Sequence, residues 1–261
     1  MKIAIIGLGE AGTIYGSALA DFGHDVTGFD PVITKVPQGI RLSSSGAEAA
    51  ADADAVLVLT GARGAAAVAE EVLPALPDHA VYADLTSASP SLKRDLGGRA
   101  GAVRFTDVAI LGAVVAKRES TPLMASGKGA EAFAELLSPI GAPVEVVPGG
   151  PGAAMEHKLV RSVFMKGLAS VVIEAVQAGR AAGLEPWIRE QIARQLAGDG
   201  QATIDRFLSG TVKHATRRSQ EMRDVAAFLE TLGVPHEMTE ASALSMEEIL
   251  RRGERAEGAG S

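Results

Sequence analysis

Three glycines near the start of the chain have the spacing of a loop that binds phosphate groups. Residues 7–12 read Gly-Leu-Gly-Glu-Ala-Gly, follow the apolar run 3–6 and open a helical pattern. A second predicted strand ends just before Asp30, 18 residues after Gly12. In such a unit the helix amides hold a pyrophosphate, and the acidic residue accepts hydrogen bonds from a ribose. The predicted dinucleotide-binding residues are Gly7, Leu8, Gly9, Glu10, Ala11, Gly12 and Asp30.

The carboxylate at position 30 also predicts which dinucleotide binds. A 2′-phosphate beside Asp30 would meet a like charge, and at 4 Å and an effective dielectric near 20 the repulsion is about 4 kcal/mol before solvent relief. Pro31 follows, where an arginine could have paired with that phosphate. NAD is therefore favoured over NADP, although Lys35 and Arg41 are close enough in sequence to keep NADP open.

A ridge of polar residues in the second half of the chain is a candidate for proton transfer. Lys158, Ser162 and Lys166 recur at i, i+4 and i+8, on a stretch that is otherwise apolar around most of its circumference. Such a helix is expected to be buried, and burial lowers the pKa of a lysine into the range of a general acid or base. Lys158 and Lys166 are therefore both candidates to exchange a proton with a substrate, and Ser162 between them could orient it. A surface lysine with a buried stem is the non-catalytic alternative.

Alternating strands and helices must position these groups. Residues 1–150 predict a doubly wound, parallel α/β sheet of the Rossmann type. Strands are predicted at 3–6, 25–29, 55–59, 79–84, 104–109, 123–126 and 143–147, and helices at 11–21, 46–53, 64–73, 91–96 and 129–137. Because ligands bind at the carboxyl ends of parallel strands, we expect cofactor contacts from the residues that follow two of them. These are Thr60 and Gly61, and Thr86 and Ser87.

The pattern changes at the Pro/Gly cluster 148–152, which predicts a domain boundary. A helix over residues 153–182 would be about 45 Å long and would join the two domains. Further helices are predicted at 186–208, 211–232 and 240–252. The sequence therefore predicts an all-helical substrate and dimerisation domain over 151–250, followed by a flexible tail at 251–261.

Composition excludes several classes of function. The 261 residues include no cysteine, which excludes disulfides, thiolate catalysis and iron–sulfur clusters. The net charge of −7 without a basic run argues against nucleic acid as a partner. No histidine and carboxylate cluster predicts a metal site, and no apolar run is long enough to cross a membrane. The chain is expected to be cytoplasmic, because its start lacks the features of a signal peptide.

Several segments resemble the β-hydroxyacid dehydrogenases, relatives of 6-phosphogluconate dehydrogenase. Residues 5–12 resemble the family's opening, 83–90 its D-x-S-T-x-x-P segment beside the nicotinamide, and 106–113 its D-A-P-V-S-G-G substrate segment. Residues 174–186 resemble the end of its long interdomain helix. Residues 214–222 and 232–235 resemble the helical C-terminal domain of a less characterised branch, whose members are described only as phosphogluconate-dehydrogenase-like NAD-binding proteins.

The resemblance implies hydride transfer between a nicotinamide and a small hydroxy or oxo acid, with a lysine as general acid/base. In strict register Glu156 takes the position of the family's lysine, whereas two extra residues place Lys158 there and Ser162 at the asparagine position. Leu111 replaces the serine that usually holds the substrate carboxylate, which leaves the amides of Gly112 and Ala113 as expected contacts.

A charged turn in the C-terminal half offers a further substrate contact. His214 and Arg217, with Arg218 and Glu221, form either an anion clamp over the active site, to which Lys166 would add, or a solvated face with an i,i+4 ion pair. We expect a homodimer with interlocked C-terminal helices and an active site between a Rossmann domain and both C-terminal domains. Two alternative functions are an imine reductase, which reduces C=N bonds, and an NAD-sensing protein without turnover.

Overall fold

The computed structural model describes residues 1–33 and 35–258, with side chains described up to residue 252. Contacts divide the chain into a sheet unit, Met1–Arg161, and a helical unit, Ser162–Ser261. The predicted boundary at residue 150 precedes the long helix, whereas contacts divide the chain within that helix. Of the predicted tail, residues 251–258 extend the last helix, and residues 259–261 lie outside the described part.

The sheet unit contains eight strands in the order β3-β2-β1-β4-β5-β6-β7-β8. The strands are β1 Lys2–Ile6, β2 Asp25–Phe29, β3 Ile40–Leu42, β4 Ala55–Val58, β5 Val81–Asp84, β6 Arg104–Ile110, β7 Leu123–Ser126 and β8 Val144–Val146. The order reverses between β1 and β4, as in dinucleotide-binding folds, which confirms the predicted α/β class. Two features were not predicted: the short edge strand β3, and the antiparallel pairing of β7 with β6.

Helices cover both faces of this sheet because successive strand residues point to opposite sides. The helices are α1 Glu10–Asp21, α2 Gly46–Ala50, α3 Ala65–Val72, α4 Pro90–Arg99, α5 Val114–Lys117 and α6 Ala130–Leu137. Ile3 and Ile5 of β1 enter a core with α1 and α6, whereas Ala4 and Ile6 enter a second core with α2, α3 and α4. A strand segment buried on both faces must be apolar throughout, which is why residues 3–6 of β1 and all of β4 are unbroken apolar runs.

The remaining helices are α7 Ala153–Ala181, α8 Glu185–Leu196, α9 Gly200–Lys213, α10 Ala215–Thr231 and α11 Glu237–Gly258. The helix predicted over 186–208 is wrong in extent, because Asp199 caps a new helix by accepting from the amides of Gln201 and Ala202. The helix predicted over 211–232 is also two helices, because His214, at φ −122°, breaks the run between α9 and α10.

Glu174 links α7 to the start of α11 inside the helical unit. Its side chain is 9% exposed and accepts the amides of Met238 and Thr239 at 2.7 and 2.8 Å, and the Thr239 hydroxyl at 2.6 Å. These amides belong to the first turn of α11, where a negative charge is also favoured by the helix dipole. A carboxylate on one helix therefore caps another that begins more than 60 residues later in the chain.

The predicted burial of α7 is wrong for the single chain. Val160, Val163 and Phe164 are 73%, 78% and 64% exposed, so the described residues leave them uncovered. The apolar composition of the helix indicates a surface that favours burial, but it does not indicate whether that surface is covered within one chain. Among the residues that the structure describes, no helix has both the length and the apolar character needed to cross a membrane.

Candidate functional site

One row of paired residues runs across the sheet and marks the edge at which the candidate site is built. The register places Phe29, Ile6, Val58, Asp84, Asp107 and Ser126 side by side on neighbouring strands. We call this the edge row. The first four are the last residues of β2, β1, β4 and β5, so Asp30, Gly7, the Thr60 loop and the Thr86 loop all leave the sheet at the same level. The structure thus brings the predicted cofactor-binding segments to one edge.

The glycine loop has the geometry that its three glycines predict. Gly7 has φ +97°, in the left-handed region that favours glycine. A Cβ on Gly12 would lie 2.9 Å from the Gly7 carbonyl carbon and closer still to its oxygen, so α1 could not approach the loop. By contrast, a Cβ on Gly9 would meet nothing within 4 Å. Gly9 therefore leaves open space beside the first turn of α1, and the loop fits a pyrophosphate.

Asp30 braces the glycine loop. Its Oδ2 accepts the amide of Leu8 at 2.8 Å, and its Oδ1 accepts the amides of Val32 at 2.9 Å and Ile33 at 3.3 Å. Each carboxylate oxygen can accept more than one hydrogen bond, so these contacts leave capacity for ribose hydroxyls. The carboxylate is half-buried at the end of β2.

The two polar loops at the edge differ in what their hydroxyls do. Thr60 Oγ1 is shielded from solvent and has no hydrogen-bond partner among the described residues, as expected of a group whose partner is a bound ligand. Thr86 is 2% exposed, and its hydroxyl accepts the Ala88 amide at 3.3 Å, so this side chain shapes its own loop. Ser87 beside it is exposed, as is Gly61 beside Thr60.

The first turn of α7 is fixed to the sheet by two adjacent members of the edge row, Asp107 and Ser126. Asp107 Oδ2 accepts the amides of Gly152 and Met155, both at 3.0 Å, and Ser126 Oγ accepts the amide of Ala154 at 3.0 Å. Helix-start amides lack partners within the helix, and here two strands supply them. Since Asp107 and Ser126 are a register pair, the helix begins directly on the β6–β7 ladder.

A buried lysine that sequence reasoning missed lies behind this cap. Lys93 of α4 is fully buried, and its Nζ lies 2.9 Å from Asp107 Oδ1 and 3.6 Å from Asp84 Oδ1. It also donates to the carbonyl of Asp84 at 2.7 Å. The available signal is a pair of aspartates in strands that are expected to be buried, because two buried carboxylates need a cation.

Lys158 follows Met155 by three residues, so it lies almost one turn beyond the anchored amides. Its side chain is half-buried rather than enclosed. Glu156, the strict-register alternative, is exposed and pairs with Arg94 at 2.6 Å. Ser162 and Lys166 follow Lys158 by four and eight residues on α7 and belong to the helical unit; Ser162 is half-buried and Lys166 exposed.

Two tyrosines of the sheet unit are unsuited to proton transfer near neutral pH. Tyr15 on α1 and Tyr82 on β5 are 0% and 1% exposed. Burial raises the pKa of Tyr15 to about 12, and burial raises the pKa of Tyr82 as well. A phenol in either place therefore stays protonated over the physiological range.

The predicted substrate segment stands beyond the edge row. β6 continues past Asp107 for three residues, about 10 Å at the usual rise, before Leu111. The Leu111 side chain packs against a small core with Ala154 of α7, and its amide donates to the carbonyl of Pro122 at 2.8 Å. Gly112 and Ala113 are exposed. Leu111 is therefore a packing residue, and the polar contact that a serine would give here is absent.

The charged turn at residues 214–221 contains the i,i+4 ion pair that is expected of a solvated helix face. Arg217 forms an ion pair with Glu221 along one exposed face of α10. Arg218 points elsewhere and donates to the Thr211 hydroxyl at 2.7 Å. His214 is exposed at the junction of α9 and α10. Roles for His214, Arg217 and Lys166 in substrate binding stay predictions.

Comparisons with known proteins agree with this geometry. A relative from Methanothermus fervidus, an uncharacterized 28.5 kDa protein in the 7S RNA 5′ region, is 27% identical over 152 residues, or 57% of this chain. The chain covers 58% of that relative's length. Conserved protein MTH1747, whose structure was described as similar to 3-hydroxyacid dehydrogenases, is 24% identical with a TM-score of 0.66, and the match covers 95% and 96% of the two chains.

The same fold occurs in an imine reductase from Streptomyces aurantiacus. It is 17% identical, with a TM-score of 0.79 over 95% of this chain and 94% of that one. A domain of unknown function, DUF1932, matches residues 180–249, and the NAD binding domain of 6-phosphogluconate dehydrogenase matches residues 2–150. This last match covers more than half of the chain and confirms the resemblance deduced from the motifs. The protein belongs to the family that carries the NAD-binding domain of 6-phosphogluconate dehydrogenase.

Proposed function

We propose that this protein is an NAD-dependent oxidoreductase that interconverts a small hydroxy acid and its oxo form, with Lys158 as general acid/base. The observation that carries the proposal is the edge row. It brings the glycine loop, Asp30 and the capped start of α7 to one edge of a single unit. Lys158 follows that cap on a helix whose beginning is held by the same strands.

The residues of the chain divide the reaction between them. The glycine loop and the start of α1 hold the phosphates of the cofactor, and Asp30 holds its ribose. When bound, the nicotinamide accepts or supplies the hydride. In the oxidation direction, neutral Lys158 takes the hydroxyl proton as the C–H bond is broken. In the reduction direction, its ammonium returns the proton to the carbonyl oxygen, and Ser162 orients the reacting group.

Asp30 supports NAD as the preferred cofactor. Its carboxylate already accepts the Leu8 amide, which fixes its position. To move away from a 2′-phosphate, the side chain would have to break this hydrogen bond. The expected preference for NADH over NADPH is at least tenfold in kcat/KM, well within the repulsion of about 4 kcal/mol at close range. Replacement of Asp30 by Ser is expected to narrow this preference, because it removes the negative charge and introduces a hydroxyl that can still bond to the ribose.

The first experiment measures oxidation of NADH and NADPH with glyoxylate, pyruvate and the cyclic imine 1-pyrroline. Wild type is compared with Lys158→Ala, and Lys166→Ala tests the alternative proton donor two turns further along α7. We expect Lys158→Ala to lose about 10²- to 10⁴-fold in kcat while its affinity for NADH stays within threefold. Wild-type turnover by Lys158→Ala would overturn the lysine's role. NADH binding without turnover of any substrate would favour a sensing protein.

C=N reduction is a second candidate because of Leu111. The substrate segment presents an apolar side chain packed against α7 where a carboxylate-binding group would be polar. An apolar, uncharged imine would suit such a segment better than an anionic oxo acid would. Turnover of 1-pyrroline with none of either oxo acid would favour this alternative.

We also propose that the protein acts as a homodimer. Large apolar residues are exposed on α7 and also on α9: Val160, Val163 and Phe164 on the former, and Phe207, Leu208 and Val212 on the latter. Exposed apolar faces of this kind are uncommon in monomers and are typical of interfaces. A second copy is the proposed cover. Light scattering at micromolar concentration is expected to give twice the chain mass, and Val163→Glu is expected to weaken the association. A monomeric wild type would refute the proposal.

A further inference from the structure

Lys93 is a fully buried cation of the sheet unit, and the proposed reaction does not use it. Its side chain is 0% exposed, and it makes four polar contacts. The Nζ pairs with Asp107 Oδ1 at 2.9 Å and Asp84 Oδ1 at 3.6 Å, and it donates to the carbonyls of Asp84 at 2.7 Å and Val108 at 3.3 Å. Buried ion pairs are often no more stabilising than apolar packing of the same volume, so stability alone does not account for this group.

The two aspartates that Lys93 joins each hold a different part of the candidate site. Asp84 Oδ1 accepts the Thr86 amide at 2.8 Å and so fixes the loop after β5. Asp107 Oδ2 accepts the amides of Gly152 and Met155 and so fixes the start of α7. One ammonium therefore lies between the loop expected at the nicotinamide and the helix that carries Lys158. Both of these links consist of bonds to backbone amides, which cannot rotate away as side chains do.

We propose that Lys93 is a positioning residue that sets the start of α7, and with it Lys158, relative to the loop of residues 85–89. The inference rests on the proposed function only in giving Lys158 the proton-transfer role. Lys158 is three residues past the Met155 amide, about 4.5 Å along the helix axis, so a shift of the anchored turn passes directly to it. Misplacement of a reacting group by about 1 Å can cost 100-fold in rate, so the proposal predicts a large effect from a residue that touches no reactant.

The test replaces Lys93 by methionine, which has a similar length and no charge. Leu96→Ala is the matched control: Leu96 is also fully buried on α4 but belongs to the apolar core, so its loss destabilises the same helix without touching the aspartates. Because Lys93→Met leaves two buried carboxylates without a cation, Lys93→Met/Asp107→Asn is made as well. The amide oxygen introduced by Asp107→Asn can still accept from the amides of α7, and one of the two buried negative charges is removed.

Two readouts are measured in the full-length protein with NADH as the cofactor. We expect Lys93→Met or its double variant to lose about 100-fold in kcat with the KM for NADH within threefold, whereas Leu96→Ala retains kcat. In a double-mutant cycle, Lys93→Met is expected to lower kcat no further once Lys158→Ala is present. Amide hydrogen exchange is expected to quicken at both Thr86 and Met155 in Lys93→Met, and at neither in Leu96→Ala.

The outcomes separate the inference from the proposed function. If Lys158→Ala loses activity but Lys93→Met retains kcat as Leu96→Ala does, the positioning role is overturned and the proposed function stands. If Lys158→Ala keeps full activity, or no substrate turns over, the proposed function fails and exchange decides the positioning role. Faster exchange at Thr86 and Met155 together then supports Lys93 as the link between loop and helix, and equal exchange in both variants overturns it.

Discussion

Replacement of Gly9 by alanine is expected to remove cofactor binding while leaving the fold intact. A Cβ on Gly9 would meet nothing within 4 Å, and its φ of −67° suits any residue. Alanine lowers the entropy of the unfolded chain, a gain of about 0.4–1 kcal/mol, but it is a poorer helix N-cap by a similar amount. The free energy of unfolding should therefore change by less than about 1 kcal/mol.

The same methyl group would occupy the space through which a pyrophosphate must pass to reach the first amides of α1. Loss of those amide contacts is expected to raise the Kd for NADH at least tenfold, or about 1.4 kcal/mol. The assay is a fluorescence titration with NADH, paired with urea unfolding of the same samples. Gly98→Ala is the control, because Gly98 also has open space around it but lies on α4.

Gly12→Ala supplies the opposite case. Its Cβ would clash with the carbonyl of Gly7, which is backbone and cannot move aside, so a loss of about 3 kcal/mol or more is expected. Two results would refute the reasoning about this loop. One is an unchanged Kd for NADH in Gly9→Ala, and the other is a Gly12→Ala protein as stable as Gly98→Ala.

Three further predictions concern other carboxylates. Glu174→Ala should lower the unfolding free energy by about 3 kcal/mol in urea, because the amide and hydroxyl of Thr239 lose a buried acceptor; an unchanged midpoint would contradict this. Glu156→Gln should keep wild-type kcat, because Glu156 is an exposed partner of Arg94, and a large loss would restore it as proton donor. Hydrogen bonds from Arg180 and Arg189 lower the pKa of Glu185 to about 2, so the stability it contributes is present above its unfolded pKa near 4.5 and is lost toward pH 2. Unfolding followed by circular dichroism should show that the stability of Glu185→Gln falls less between pH 4.5 and pH 2 than that of the wild type.

The glycine loop and Asp30 could be predicted because their geometry is local in sequence. Strand, loop, helix and acidic residue lie within 30 residues, and each glycine has one steric reason to be there. The family motifs can be identified from the sequence for the same reason, since they are short segments at strand ends. Asp84 and Asp107 belong to those segments, but the segments do not indicate which backbone amides the two carboxylates accept.

The cap of α7 could not be predicted because its two halves are 45 residues apart. A helix N-cap is predicted from a Ser or Asp just before the helix, whereas Pro151 and Gly152 precede α7. Lys93 was missed for a related reason: its partners, Asp84 and Asp107, become neighbours only once β5 pairs with β6. The burial of α7 was predicted from composition alone, and composition shows that a surface is apolar without showing which chain covers it.

The anchored start of α7 also determines how far that helix can unravel. A helix normally frays from both ends, because its terminal amides and carbonyls have only water as partners. In α7 the first amides are held by Asp107 and Ser126, which belong to the core of the sheet unit. If the helical unit opens, melting of α7 should run back from Ala181 and stop at this turn. The sheet unit would then keep a short helical stub that contains Met155, and regrowth of α7 would not need a new nucleus.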